Sequence, residues 1–297
     1  MNPYAPHERL VLHARRAPEL WRLILGLCLA GLVMFALSRA FFALVHVVLP
    51  QSAYFELVSG VESTATATGL LVLLILMGAM GVGAMVAAEL VHQRSAASLF
   101  GPWRAFLRQF LQVFAALAVL TVMIAILPPW GLPEGTMAAM PMGDWLRLLP
   151  LTLAGLLIQT GSEELLFRGY IQSQLAARFS QPGVWLVLPS AMFAALHYAP
   201  AIYGSNAGLV VLWAFVFGLA AADLTARSGT LGPAIALHLV NNFTAMAIVS
   251  LQGEMSGLAL YHLPFGPENT DTLRSLLPID LGTIAVSWLA ARIALRR

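Results

Sequence analysis

The sequence predicts an all-α fold: a polytopic membrane helix bundle of about eight transmembrane helices. Three observations carry that prediction. Of 297 residues, 59% are hydrophobic and only 10% charged, where a soluble domain carries roughly a quarter charged residues. Too little ionic surface is left to coat a globule in water. Apolar runs near the ~20 residues needed to cross a bilayer recur along the whole chain. Finally, the arginines alternate in step with those runs, as the positive-inside rule requires of successive loops.

The runs place spans at about 21–49, 67–92, 106–127, 145–170, 183–198, 206–226, 231–252 and 278–295. Breaks fall at Pro50, Gly101-Pro102, Pro128 to Pro141, Pro182-Gly183, Ser228-Gly229 and Pro264 to Pro278. The first run is too long for the 7–15-residue core of a cleavable signal and reads as a retained span. In the second, Gly78, Gly81, Gly83 and Ala84 are the small residues that let helices approach closely in lipid. The fourth continues as a polar helix to about Arg178. A single integral membrane domain covers 1–297.

Arg9, Arg15, Arg16, Arg22, Arg94, Arg104, Arg108, Arg168, Arg178, Arg227, Arg292, Arg296 and Arg297 fall to one side and only Arg147 and Arg274 to the other, while Arg39 lies inside the first span. That bias predicts cytoplasmic N- and C-termini and a multi-pass protein, in the inner membrane if the cell is bacterial. The outer segment from Gln252 to Pro278 reads as a solvated acidic loop in preference to a lid. All 16 basic residues are arginine and the formal charge is only +2; this scattered, weak charge argues against a nucleic-acid partner. Cys28 is the single cysteine, which excludes an intrachain disulfide and any C-x-x-C metal or redox motif.

Ionisable groups inside spans are costly and usually face a cavity with a function. Here they concentrate between residues 160 and 242. Glu164 and Arg168 stand at i and i+4, in the favourable acid-then-base order. Glu163 lies about 100° around the helix and lacks that partner, which leaves it free to act as a general base. Alone, the cluster also reads as a charged patch capping a helix end. Phe193 and His197 share a face of the fifth span; a lone histidine is commonly a packing residue. His238 and Asn242 stand one turn apart and can address one point in space. As an isolated pair they would also serve as interhelical hydrogen-bonding groups.

The ordered motifs Glu163-Glu164-x3-Arg168, Phe193-x3-His197 and His238-x3-Asn242 resemble the CPBP family, which comprises CAAX prenyl endopeptidases, bacteriocin-processing and immunity proteins and is also called the abortive-infection family. The resemblance covers about 145–252, the family's core. It implies a glutamate-dependent intramembrane endopeptidase acting on a membrane-associated peptide or protein. Glu163 would activate water aided by His197, His238 and Asn242 would stabilise the oxyanion, and Glu164 with Arg168 would orient the site. A metal-dependent version is also implied, with Glu163, His197 and His238 as a possible Zn shell, although no H-E-x-x-H helix is present. The metal-free scheme is the favoured expectation. Two other readings use the same polar cluster: a non-proteolytic immunity or scaffold member of the fold, and a transporter with an ion or proton relay.

Overall fold

The computed structural model describes residues 2–128 and 132–296. Arg297 of the arginine pattern and residues 129–131 of the third break lie outside the described residues. Helices α1 (Glu8–Ala14), α2 (Leu20–Val48), α3 (Gln51–Ser63), α4 (Ala67–Leu76), α5 (Gly78–His92), α6 (Trp103–Ile126), α7 (Met142–Glu164), α8 (Ser173–Arg178), α9 (Pro182–Ala195), α10 (Pro200–Tyr203), α11 (Ala207–Ser228), α12 (Gly232–Phe243) and α13 (Thr270–Leu295) follow in chain order. The chain is therefore an all-helical membrane bundle, and an integral membrane protein.

A helix occurs at each of the eight expected positions. Among the described residues, five stretches are long and apolar enough to cross a bilayer: Leu20–Val48, Ala67–His92, Ala96–Ile126, Pro200–Ser228 and Thr270–Leu295. The other three, α7, α9 and α12, are the ones that carry or adjoin the polar motifs. Helix α7 gives positions to Asp144, Arg147, Gln159, Ser162, Glu163 and Glu164. Helix α9 has 14 residues and α12 has 12, against the ~20 that a span needs. Helix α12, buried from Gly232 to Leu239, can be short because neighbouring helices surround it, whereas α7 and α9 each leave large apolar side chains such as Leu151 and Leu188 exposed.

Close helix approach follows from the glycines of α5. A Cβ on Gly81 would lie 2.8 Å from Ser162 Oγ of α7, and one on Gly78 would lie 2.9 Å from Ile158 Cγ2. One on Gly83 would lie 2.6 Å from the backbone oxygen of Ala30 in α2. Helix α5 is thus clamped between α2 and α7, with side chains absent where backbones meet. This contact seats the end of α7 that bears both glutamates.

Both ends of the chain meet at one carboxylate. Asp223 on α11 accepts from Tyr4 Oη (2.9 Å), from Arg227 Nε (2.8 Å to each oxygen) and from Trp288 Nε1 of α13 (2.9 Å). The N-terminal segment lies across this end as a strap. It buries His7, Leu10, Val11 and Ala14, and His7 stacks near Trp185 with ring centroids 4.8 Å apart. Arg94, also buried, donates to Ser173 Oγ at 2.9 Å and lies 3.4 Å from the Leu10 carbonyl.

The opposite end departs from expectation. The segment expected to be a solvated loop is packed: Ser256, Leu258, Ala259 and Leu260 are buried, and Met255 N donates to Thr64 Oγ1 at 2.7 Å. Short strands β1 (Met137–Ala138), β2 (Val249–Ser250) and β3 (Tyr261–His262) pair in the order β1-β3-β2, the first pair antiparallel and the second parallel. They satisfy backbone groups that a water-filled loop would leave to solvent. Helix α13 begins at Thr270, earlier than Pro278, which sits inside it. Proline removes one helical N–H, and the remaining turns continue around it. The amphipathic α3 was read only as part of a break; its residues are not buried, so no apolar run marks it.

Candidate active site

Helix α7 does not stop after Glu164. Residues Leu165–Gln172 form a π-helical stretch that runs directly into α8, so the polar continuation to Arg178 is present. Such widened turns recur at functional sites. Here the stretch begins immediately after the two glutamates, and it buries Arg168 completely.

Glu164 is also fully buried. Its Oε1 accepts from Arg168 Nη1 at 2.8 Å, the expected i, i+4 pair, and from His238 Nδ1–H of α12, also at 2.8 Å. Arg168 Nη2 donates to the Gly218 carbonyl of α11 at 3.1 Å, and its guanidinium carbon lies 4.8 Å from the Phe193 ring centroid. Gly218 is needed for this approach: a Cβ there would meet Ser190 Cβ at 3.0 Å and Arg168 Nη2 at 3.4 Å.

Glu163 is buried and receives different partners. Gln159 Nε2 donates to its Oε1 at 2.8 Å, while its Oε2 lies 3.5 Å from His238 Nε2. One imidazole therefore stands between two consecutive carboxylates, fixed at Nδ1 and addressed more loosely at Nε2. Asn242 donates from Nδ2 to Gln159 Oε1 at 2.9 Å. Five of the expected residues, Glu163, Glu164, Arg168, His238 and Asn242, are joined into one network, with Gln159 as the member that sequence reading missed. Its signal was available: a polar side chain one turn before Glu163 on an otherwise apolar stretch.

His197 stands apart from that network. It follows the last residue of α9, with Nδ1–H donating to the Phe193 carbonyl at 2.9 Å. No hydrogen bond or ion pair joins it to either glutamate. Phe193 is the link: its ring centroid lies 4.6 Å from that of His197 and 6.0 Å from that of His238. The donor on Nδ1 leaves the Nε2 lone pair of a neutral His197 free. Among the described residues no three His, Cys, Asp or Glu side chains are gathered so as to hold a metal ion. Among the described residues the set Glu163, His197 and His238 is not gathered, although the Nδ1–H bond of His197 to a backbone carbonyl is of the kind that orients a ligating imidazole.

An apolar groove of about 550 Å³ opens between α2, α4–α5 and α7, lined among others by Leu37, Ile75, Gly78, Ile158, Gly161 and Ser162. None of the six expected site residues lines it, yet Ser162 immediately precedes Glu163.

Residues 144–244 match the family model described as type II CAAX prenyl endopeptidase Rce1-like. Over this segment the chain is similar to that family model. The match covers about a third of the chain and contains all three motifs of the CAAX-endopeptidase segment, from Glu163 to Asn242. No curated protein and no solved structure matches.

Proposed function

We propose that the chain is an intramembrane endopeptidase in which Glu163 activates water for attack on a peptide bond. The observation that carries this reading is the unequal treatment of two adjacent buried carboxylates. Glu164 carries both Arg168 and His238 on Oε1, its Oε2 being buried without a hydrogen-bond partner; Glu163 has one oxygen held by an amide and the other turned toward His238 Nε2 at 3.5 Å. The carboxylate paired with a guanidinium orients, and the one without a guanidinium, facing Nε2, is the base.

In the reaction, water bound beside Glu163 gives a proton to Oε2 while its oxygen attacks the scissile carbonyl. A free Asn242 N–H and the imidazole of His238 donate to the oxyanion, where preformed donors count most. Glu164 holds His238 at Nδ1 so that Nε2 is the reacting nitrogen. As the C–N bond breaks, the proton taken from water goes to the departing amine, leaving a carboxylic acid and an amine. Because Nδ1–H is given to Glu164, His238 donates to the oxyanion from a proton on Nε2, and Glu163 Oε2 stays the acceptor for the proton of water. His197, partly exposed at the rim, is assigned to steering the attacking water through its free Nε2.

The substrate is a membrane-associated peptide or protein whose apolar part lies along the groove beside Ser162. The matched family model is named for CAAX prenyl substrates, but nothing in these residues demands a prenylated cysteine motif. With the arginine-rich end cytoplasmic, the chain is a multi-pass protein of the inner membrane in a bacterial cell, with both termini inside. The test is cleavage of a membrane-anchored peptide library in liposomes by the native chain, Glu163→Ala and His238→Ala. Turnover by the native chain and its loss in both folded variants supports the reading; binding without turnover by the native chain overturns it in favour of a scaffold.

A further inference from the structure

We infer that Gln159 is a positioning residue that sets the polarity of the whole site, assigning the moving proton to one particular oxygen of Glu163 and leaving one N–H of Asn242 for the substrate. This deepens the endopeptidase reading and rests on it.

The argument is one of donors and acceptors. Gln159 is buried on α7 one turn before Glu163. An ionised carboxylate only accepts hydrogen bonds, so Gln159 must present its NH₂ to Glu163 Oε1, at 2.8 Å. The far end of the same amide is then a carbonyl oxygen and must find a donor. Asn242 supplies it from Nδ2 at 2.9 Å, across the boundary between α7 and α12. With its nitrogen so placed, Asn242 has Oδ1 turned the other way, where it accepts from Asn241 Nδ2 at 3.2 Å. Four side chains form a line with one direction, Asn241 to Asn242 to Gln159 to Glu163, and reversing any amide would set like poles against each other.

Two chemical consequences follow. Glu163 Oε1 is held as an acceptor, so the proton from water goes to Oε2, the oxygen facing His238 Nε2. That is the oxygen from which it can be relayed. Asn242 uses one of its two N–H bonds on Gln159 and keeps the second for the oxyanion. Were Gln159 only interhelical glue, its loss would change stability with no mark on the chemistry.

The experiment measures kcat, KM and the rate–pH profile of the full-length protein in liposomes for the native chain, Gln159→Leu and Gln159→Glu. Gln159→Leu removes both hydrogen bonds at similar bulk, and kcat falls about 10–100-fold with KM little changed, the effect of a slightly misplaced reacting group. Gln159→Glu is nearly isosteric. When its carboxyl is protonated, O–H replaces N–H on Glu163 and the carbonyl still accepts from Asn242; when ionised, it opposes Glu163 with like charge. Its activity is therefore retained on the acid side and lost at a pH where the native chain still works. Unchanged kcat in folded Gln159→Leu, or a Gln159→Glu profile superimposable on the native one, overturns the inference while leaving the endopeptidase reading intact. An inactive native chain sinks both.

Discussion

His238 Nδ1 and Arg168 Nη1 converge on the same oxygen of Glu164, each at 2.8 Å. The shared acceptor couples the stability of the bundle to the geometry of its site. Removing one partner of a buried ion pair costs about 3–5 kcal/mol because the other charge is left unpaired. Glu164→Gln should therefore lower the thermal unfolding temperature in detergent and release His238. Replacing both partners, Glu164→Gln with Arg168→Met, should recover much of the stability and none of the activity. A single variant as stable as the native chain contradicts this.

The α5–α7 contact predicts opposite fates for two glycines. Gly81→Leu must push against Ser162, whose Oγ and Cα would lie 2.8 and 3.1 Å from the new Cβ. Overpacking of this kind costs about 1–3 kcal/mol, and the displacement falls on the residue preceding Glu163. Gly161→Ala meets nothing within 4 Å and should leave thermal stability unchanged. Equal behaviour of the two variants in a melting assay contradicts the packing account.

The N-terminal strap should loosen in acid. His7 is buried with no partner for Nε2, and burial pushes its imidazole down to about 4 from an ordinary 6.5. The unfolded or undocked segment then binds a proton that the docked one refuses, so docking is strongest above about pH 6.5 and weakens as pH falls toward 4. Amide exchange of residues 2–14 should be slow at pH 7.5 and, corrected for intrinsic rates, faster at pH 5. His7→Leu should abolish the difference; a native strap protected equally at both values contradicts it.

Chelation addresses the metal question directly. With His197 Nδ1 donating to Phe193 O and Glu163 moving the proton itself, dialysis against a strong chelator should leave kcat unchanged. Loss of activity that zinc restores would reassign Glu163 from base to ligand.

Several of these relationships could be read from the chain alone. The Glu164–Arg168 pair follows from i, i+4 spacing, and the small residues of α5 announced its close contacts. The order of the motifs pointed to α7 and α12 as places where polar groups meet, and also to the end of α9, whose His197 stays outside the network. Other features depend on which helices become neighbours. Spacing gave no reason to join Gln159 to Asn242, because the bond crosses from α7 to α12 and either amide alone has ordinary uses. His238 was paired with Asn242 by its own helix, whereas its strongest contact is to Glu164 on another. The buried 256–260 segment was hidden by the acidic residues around it, although its Gly-Leu-Ala-Leu core carried an apolar signal.

The most direct measurement of the central claim is turnover in ¹⁸O-labelled water by the native chain and Glu163→Gln, both reconstituted in liposomes and shown to melt alike. The account predicts one ¹⁸O in the newly formed carboxyl group of the native product. It also predicts a fall in kcat of about 10²–10⁴-fold for Glu163→Gln, the usual worth of a general base. Cleavage by Glu163→Gln at the native rate would contradict it.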